Sequence, residues 1–303
     1  MNLNYSASNF YSSSFALAQS YTTSPGLPMQ PLAPAPTPNP FSDVNDLGSQ
    51  LRCIRSLIDN LRCGEVGGLP LGGGDQLSAA GGPGNDAIAQ SGGWGHDRLI
   101  ARGGRGDDTI AQFGGPGSDL LRAHGGPGDD RIVQRGGRGH DTLVARGGRG
   151  DDVIRQHGGR GSDLLRAHGG PGDDRIVQRG GPGQDKLVAR GGRGDDVIRQ
   201  HGGRGSDTLV ARGGPGNDRI VQRGGRGADQ LRYVTGKGND VARLQGGAGQ
   251  DSAVIRAKSK NFTVIGANGD VLHKSGKGGT KIRVKNIEDL KVKVGKKTHN
   301  INT

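Results

Sequence analysis

Residues 125–146 read GGPGDDRIVQR GGRGHDTLVAR, which are two eleven-residue units that differ in a fixed way. Counted from Gly81, the chain repeats this unit as Gly-Gly-x-Gly-x-Asp followed by five apolar and basic residues. The eighth position alternates between Ile and Leu from Ile88 to Leu231 without exception, and the tenth alternates in step between Gln and Ala up to Gln222. Because alternate units are inequivalent, the complete repeat has twenty-two residues and two faces.

The glycines exclude a helical interpretation of the eleven-residue period. Each unit carries three Gly, and each Gly costs a helix roughly 1 kcal/mol relative to Ala. A fixed period of this length is typical of solenoids, in which Gly-Gly-x-Gly forms a tight turn and the five residues after Asp form a short strand. We therefore predict an all-β fold, a parallel β-solenoid of about eight 22-residue coils that spans residues 72–256.

The alternation of side chains along a strand assigns the two sides of each strand. Positions six, eight and ten point inward, and positions seven, nine and eleven point outward and carry most of the Arg and His. In-register stacking places Arg at the ninth position of one coil over Val of the next, which avoids contact between like charges. The basic exterior predicts an anion-binding surface that includes Arg131, Arg135, Arg155, Arg175, Arg179, Arg199, Arg219 and Arg223.

An inward Asp at every sixth position forms a column of carboxylates about 5 Å apart, which requires a positive partner. Carboxylates and turn carbonyls in a glycine loop are oxygen ligands that suit Ca²⁺. The predicted ligands are Asp86, Asp97, Asp108, Asp119, Asp130, Asp141, Asp152, Asp163, Asp174, Asp185, Asp196, Asp207, Asp218, Asp229, Asp240 and Asp251.

The motif Gly-Gly-x-Gly-x-Asp-x-(Leu/Ile) resembles the calcium-binding repeat of RTX proteins, whose parallel β-roll holds Ca²⁺ between turns. The resemblance implies several bound Ca²⁺ ions, held by the sixth-position Asp and turn carbonyls. This chain departs from the family in two respects: its unit has eleven residues instead of nine, and its net charge is +12.

The fifth position distinguishes the two edges of the coil. Units with Ile carry an acidic or amide residue there, and units with Leu carry His, Ser, Gln or Ala. We expect tighter Ca²⁺ binding at the first edge, with additional ligands from Asp107, Asp129, Asp151, Asp173 and Asp195.

The segments outside the repeats have different compositions. Residues 1–45 are rich in Ser and Pro and predict a disordered leader, which resembles the export signal of type III-secreted proteins from plant-associated bacteria. Residues 46–71 predict an amphipathic helix that caps the first coil, and residues 257–303 predict a basic, β-rich C-terminal cap. Cys53 and Cys63 lie about 15 Å apart along such a helix, too far for a mutual disulfide, so they and the roll ends are candidate oligomer contacts.

Several functions remain open at this level. The principal hypothesis is a secreted, non-enzymatic protein that folds on binding extracellular Ca²⁺ and presents its basic surface to an anionic polysaccharide, lipopolysaccharide or membrane surface. Export by a type I route, as for RTX proteins, is the alternative to type III. Alternatives in function are an Arg/Gly-rich nucleic-acid binder, a metal-free structural solenoid, and an adhesin that uses Arg-Gly-Asp tripeptides such as Arg149-Gly150-Asp151. We expect no transmembrane segment, because no apolar stretch is long enough.

Overall fold

The computed structural model describes residues 73–258, 261–276 and 279–301. They form a parallel β-solenoid of about nine turns of roughly 22 residues, which confirms the predicted fold class. The predicted leader over residues 1–45 and the capping helix over residues 46–71, including Cys53 and Cys63, lie outside the described residues.

Two eleven-stranded sheets face each other across the core. We call them the Leu sheet and the Ile sheet after the residue at their inward eighth position. The Leu sheet contains β1 (Gln76–Ala80), β3 (Arg98–Arg102), β5 (Leu120–Pro127), β7 (Thr142–Arg149), β9 (Leu164–Pro171), β11 (Lys186–Arg193), β13 (Thr208–Arg212), β15 (Gln230–Val234), β17 (Ser252–Ala257), β21 (Asp289–Val294) and β22 (Lys297–Ile301). The Ile sheet contains β2 (Ala87–Ser91), β4 (Thr109–Pro116), β6 (Arg131–Arg138), β8 (Val153–Arg160), β10 (Arg175–Pro182), β12 (Val197–Arg204), β14 (Arg219–Arg226), β16 (Val241–Ala248), β18 (Phe262–Ile265), β19 (Val271–Ser275) and β20 (Thr280–Lys285).

The strands of the central coils are longer than the five residues predicted. Strand β8, for example, has eight residues and continues through Gly158 and Gly159 to Arg160. The parallel ladder continues there because Gly137 pairs with Gly159 and Arg138 with Arg160. In the coils with eight-residue strands the turn is therefore shorter than six residues, and the third position of the following unit belongs to the strand end.

The inward positions form the core as predicted. Ile and Leu at the eighth position are buried throughout the repeats, and Ala at the tenth position of the Leu sheet is buried beside them. Gln at the tenth position of the Ile sheet forms a buried amide ladder: the side chain of Gln156 donates to Gln134 Oε1 at 2.8 Å and to the Arg166 carbonyl at 3.0 Å. This ladder joins successive coils and connects the two sheets.

The C-terminal segment continues the solenoid by one turn and then closes it. Strand β20 pairs in parallel with β16, and β21 with β17. Each sheet then ends in an antiparallel hairpin, β18 with β19 and β21 with β22. The extra turn from β20 and β21 accounts for the difference between about nine turns and the eight predicted from the glycine motif.

Candidate functional site: carboxylate columns and a basic sheet face

The sixth-position Asp side chains point inward and are buried, as predicted. Their first oxygen, Oδ1, accepts a hydrogen bond from the backbone N–H of the Asp one coil earlier, for example from Asp130 N to Asp152 Oδ1 at 2.9 Å. The same contact recurs every 22 residues on both edges, as from Asp141 N to Asp163 Oδ1 at 2.8 Å. These carboxylates therefore link each turn to its neighbour.

The second oxygen, Oδ2, has a different environment. In most coils of the described residues it is buried and has no hydrogen-bond partner. It packs against the first glycine of its own turn: a Cβ built on Gly147 would lie only 2.0 Å from Asp152 Oδ2. A Cβ built on Gly148, which has φ +152, would lie still closer to the Gly126 carbonyl oxygen, so a side chain fits at neither glycine. The glycine pair is therefore required by the carboxylate as well as by the turn.

Burial raises the pKa of the sixth-position carboxyl groups from Asp108 to Asp229. Desolvation is the largest cause and raises the pKa of Asp152 and of Asp174 to about 7; backbone N–H groups oppose it, and carboxylates of adjacent coils add to it. The pKa of Asp130 rises to about 6 for the same reasons. Ionisation of these buried carboxyl groups is therefore unfavourable unless a positive charge compensates it.

Two coils satisfy Oδ2 with a donor from the chain itself. In the first, the Gly82 N–H donates to Asp86 Oδ2 at 2.7 Å, and the second is the coil of Asp240. Thr235 replaces the first glycine of this unit, and Tyr233 replaces Ala at the preceding tenth position. The Tyr233 hydroxyl donates to Asp240 Oδ2 at 2.8 Å, and the Gly236 N–H lies 3.1 Å from the same oxygen. The departure from the repeat therefore compensates the carboxylate that most other coils leave without a partner.

The cap ends both columns with other acceptors. Asp251 N donates to Glu288 Oε2 at 2.6 Å, and Asp240 N donates to Thr280 Oγ1 at 3.3 Å. At the other end, Asp75 N donates to Asp97 Oδ1 at 2.7 Å. The ligand set predicted from the sequence lacks Asp75, although its spacing of 22 residues from Asp97 indicates that it belongs to the same column. Thr280 and Glu288 lie outside the glycine motif, so no pattern in the sequence indicated their role.

The predicted fifth-position ligands lie apart from the sixth-position ones. Asp129 and Asp151 are exposed, and Asp151 N donates to Asp129 Oδ1 at 2.7 Å. We call this side the Asp edge. On the opposite side, the His/Ser edge, Ser162 N donates to His140 Nδ1 at 2.9 Å. The side chain of a fifth residue thus accepts from the turn one coil later, and that of a sixth residue from the turn one coil earlier.

The carboxylates as arranged do not form a calcium site. Ca²⁺ takes six to eight oxygen ligands that converge on one point. Here Oδ1 is engaged by an amide, Oδ2 packs against glycine, and the fifth-position carboxylates are exposed while those at position six are buried. The described residues contain no group of three metal-ligating side chains. Calcium binding stays a prediction of the RTX resemblance.

The outer face of the Ile sheet carries all eight arginines predicted to bind anions, and all are exposed. Their register matches the expected alternation: Arg131 pairs with Val153, Val133 with Arg155, and Arg135 with His157. Arginines of one coil and the next are diagonal neighbours, roughly 8 Å apart between Cα atoms. They form a two-dimensional lattice that extends from β6 to β14.

The lattice has no acidic partner within the part of the chain that the structure describes, where Lys291 with Asp289 is the sole ion pair. An open cavity of about 690 Å³ lies over its C-terminal half, lined by Arg179, Arg199, Arg219, Arg223, Arg243 and His201 together with Gln and Val side chains. Desolvation, followed by the charges of neighbouring arginines, lowers the pKa of His157 and of His201. The positive charge of this face therefore comes from arginine at neutral pH.

Comparison with protein-family models, with curated proteins and with solved structures gives no match for this chain. No described helix has the length and apolar character to cross a membrane.

Proposed function

We propose that this β-solenoid is a non-catalytic binding protein whose Ile-sheet face holds an extended polyanion, in the class of acidic polysaccharides. The observation that carries the proposal is the arginine lattice. Its guanidinium groups are exposed, regularly spaced and without acidic neighbours. Guanidinium groups bind carboxylate and phosphate oxygens in pairs, and a row of them gains affinity by releasing counterions from a polymer.

The composition of this face favours recognition of charge over recognition of bases. Single-stranded nucleic acids are held largely by stacking on aromatic side chains. The larger cavity of the Ile sheet is lined by Arg, Val, Gln and His. Phe113, at one end of the same face, is already covered by the Arg135 guanidinium at 5.7 Å from the ring centroid. A polymer recognised through its backbone charges fits this surface better than one recognised through its bases.

The Leu sheet provides a matched comparison. Its ninth-position arginines also alternate with Val, since Arg122 pairs with Val144 and Val144 with Arg166. In the intervening coils, however, its seventh position carries Thr142 and Thr208 where the Ile sheet carries Arg131 and Arg219, so the lattice is incomplete. Equal numbers of arginines can therefore be removed from a complete and an incomplete face.

The test is retention on immobilised polygalacturonate in a NaCl gradient. We expect the variant Arg155→Gln/Arg199→Gln, on the Ile sheet, to elute at clearly lower salt than the unmodified protein. The control Arg122→Gln/Arg166→Gln, on the Leu sheet, loses the same charge and should elute nearly unchanged. Equal elution of the two variants would overturn the assignment to the Ile sheet, and failure of the unmodified protein to bind would overturn the proposed function.

A further inference from the structure

The third position of the repeat shows different patterns at the two edges. On the Asp edge, prolines and cations alternate strictly: Pro127 pairs with Arg149, and Pro171 with Arg193. Each of these arginines is separated from the next by a coil and has an exposed fifth-position Asp in its own turn, such as Asp151 beside Arg149. Charge at this edge is therefore dispersed and largely neutralised.

The His/Ser edge carries arginines in stacked pairs instead. Arg138 pairs directly with Arg160, and Arg204 with Arg226, while Pro182 separates the two pairs. All four arginines are exposed, and the fifth positions of their turns are His140, Ser162, Ser206 and Ala228, which provide no carboxylate. Adjacent strands are about 4.8 Å apart, so each pair concentrates two positive charges at one point.

Stacking of like charges is locally unfavourable. The Asp edge shows that the same repeat can avoid it by alternating Pro with Arg. The ninth position of the Ile sheet avoids it too, where Val133 pairs with Arg155. The paired arginines thus depart from the alternation seen at these two sets of positions. Within the repeats, Arg190 also pairs with Arg212 at the eleventh position of the Leu sheet. A bound anion would reduce the repulsion within each pair.

A second concavity lies beside one of these pairs. It has a volume of about 480 Å³ and is lined by Arg179, His201, Pro182, Arg204 and Arg226, together with His157 and glycines. Arg179 and His201 also line the larger cavity of the Ile sheet. The pair Arg204 and Arg226 therefore lies at the margin of the surface assigned to the polyanion.

We propose that the pairs Arg138/Arg160 and Arg204/Arg226 are binding sites for phosphate groups of a linear polyanion, which is recognised through its phosphates and not through bases. The inference rests on the proposed function and adds phosphate to the groups that the bound polyanion carries, as in a phosphorylated polysaccharide. Two neighbouring guanidinium groups can donate to the non-bridging oxygens of one phosphate or of two successive phosphates. The charges of a phosphate chain follow one another more closely than the carboxylates of a polysaccharide, which number at most one per sugar ring. The lining of the second concavity contains no Phe, Trp or Tyr on which a base would stack.

The experiment compares equilibrium binding of inorganic polyphosphate, polygalacturonate and single-stranded DNA of matched charge. The test variant is Arg204→Gln/Arg226→Gln, and the matched control is Arg149→Gln/Arg193→Gln, at the same position of the repeat on the Asp edge. All substituted residues are exposed, and circular dichroism verifies that both variants fold. We expect the test variant to bind polyphosphate roughly tenfold or more weakly, with a much smaller effect on polygalacturonate, and the control to change little.

Equal losses in the two variants, or equal losses for polyphosphate and polygalacturonate, would overturn the phosphate assignment. Tighter binding of single-stranded DNA than of polyphosphate would overturn recognition without bases. The proposed function fails separately, if the unmodified protein binds none of the polymers. If Arg155→Gln/Arg199→Gln weakens binding while the His/Ser-edge variant behaves as the unmodified protein, only the present inference fails.

Discussion

The stability of the metal-free protein should decrease as the pH rises from 5 to 8. Desolvation raises the pKa of Asp152, Asp174 and Asp207 to about 7 and that of Asp196 to about 6 in the folded state, against an ordinary Asp value of 3.8. A protonated carboxyl therefore favours the folded state. Its contribution is complete below pH 3.8 and is lost as the pH passes through about 6 to 7.

The size of the effect on stability follows from the size of the pKa shift. A carboxyl whose pKa changes from 3.8 to about 7 on folding accounts for at most about 4 kcal/mol at pH 8, and water near the turn reduces that figure. Full ionisation of several such groups would exceed the roughly 5–15 kcal/mol by which a domain is stable. We therefore expect the folded, metal-free columns to keep some carboxyls protonated at neutral pH.

Thermal unfolding followed by circular dichroism in EGTA, at fixed ionic strength, measures this. We expect Tm to fall by roughly 10 °C between pH 5 and pH 8. Asp152→Asn keeps the Oδ1 acceptor, removes one titrating proton and should flatten the pH dependence, whereas Asp151→Asn, on the exposed neighbour, should not. A Tm that is constant or rises over this range would refute the reasoning.

Three further predictions concern single features of the columns. Gly147→Ala should destabilise the protein by roughly 3 kcal/mol or more in urea unfolding, because the new Cβ would lie 2.0 Å from Asp152 Oδ2; a loss below about 1 kcal/mol would contradict this packing. Tyr233→Phe should cost about 1–3 kcal/mol, because it removes the donor to Asp240 Oδ2, and unchanged stability would argue against that hydrogen bond. If the protein folds on binding Ca²⁺, about 5 mM Ca²⁺, which exceeds the dissociation constants of extracellular Ca²⁺ modules, should increase the strand signal in circular dichroism relative to EGTA. Identical spectra would count against metal-driven folding.

The sequence was sufficient to predict the architecture because the eleven-residue glycine motif and the 22-residue Ile/Leu alternation are independent constraints. The Ile/Leu alternation implied a coil of two strands, and pairing at 22-residue intervals, as for Ile132 with Ile154, confirms it. The alternation of side chains along each strand placed Asp inside, where it is buried. The same alternation placed the arginines of the Ile sheet on its outer face. The lattice could thus be read from the sequence once the register was known.

Other features depended on geometry that a repeat pattern does not encode. The motif indicated an inward carboxylate at Asp152 but not its acceptor role, because the direction of the Asp130 N–H is set by the turn conformation. The strands extend through the glycines because the ladder continues past Gly159, which propensity alone disfavours. The closing turn from β20 and β21 lacks the glycine motif, so its place in the solenoid was invisible to periodicity.

The central claim is that a polyanion binds across the arginine lattice of the Ile sheet. Arginine-specific labelling with phenylglyoxal, read by mass spectrometry with and without saturating polygalacturonate, tests it at individual residues. We predict strong protection of Arg155 and Arg199, and little protection of Arg122 and Arg166 on the Leu sheet, all four of which are exposed in the free protein. Equal protection of both sheets, or protection confined to the Leu sheet, would contradict the account.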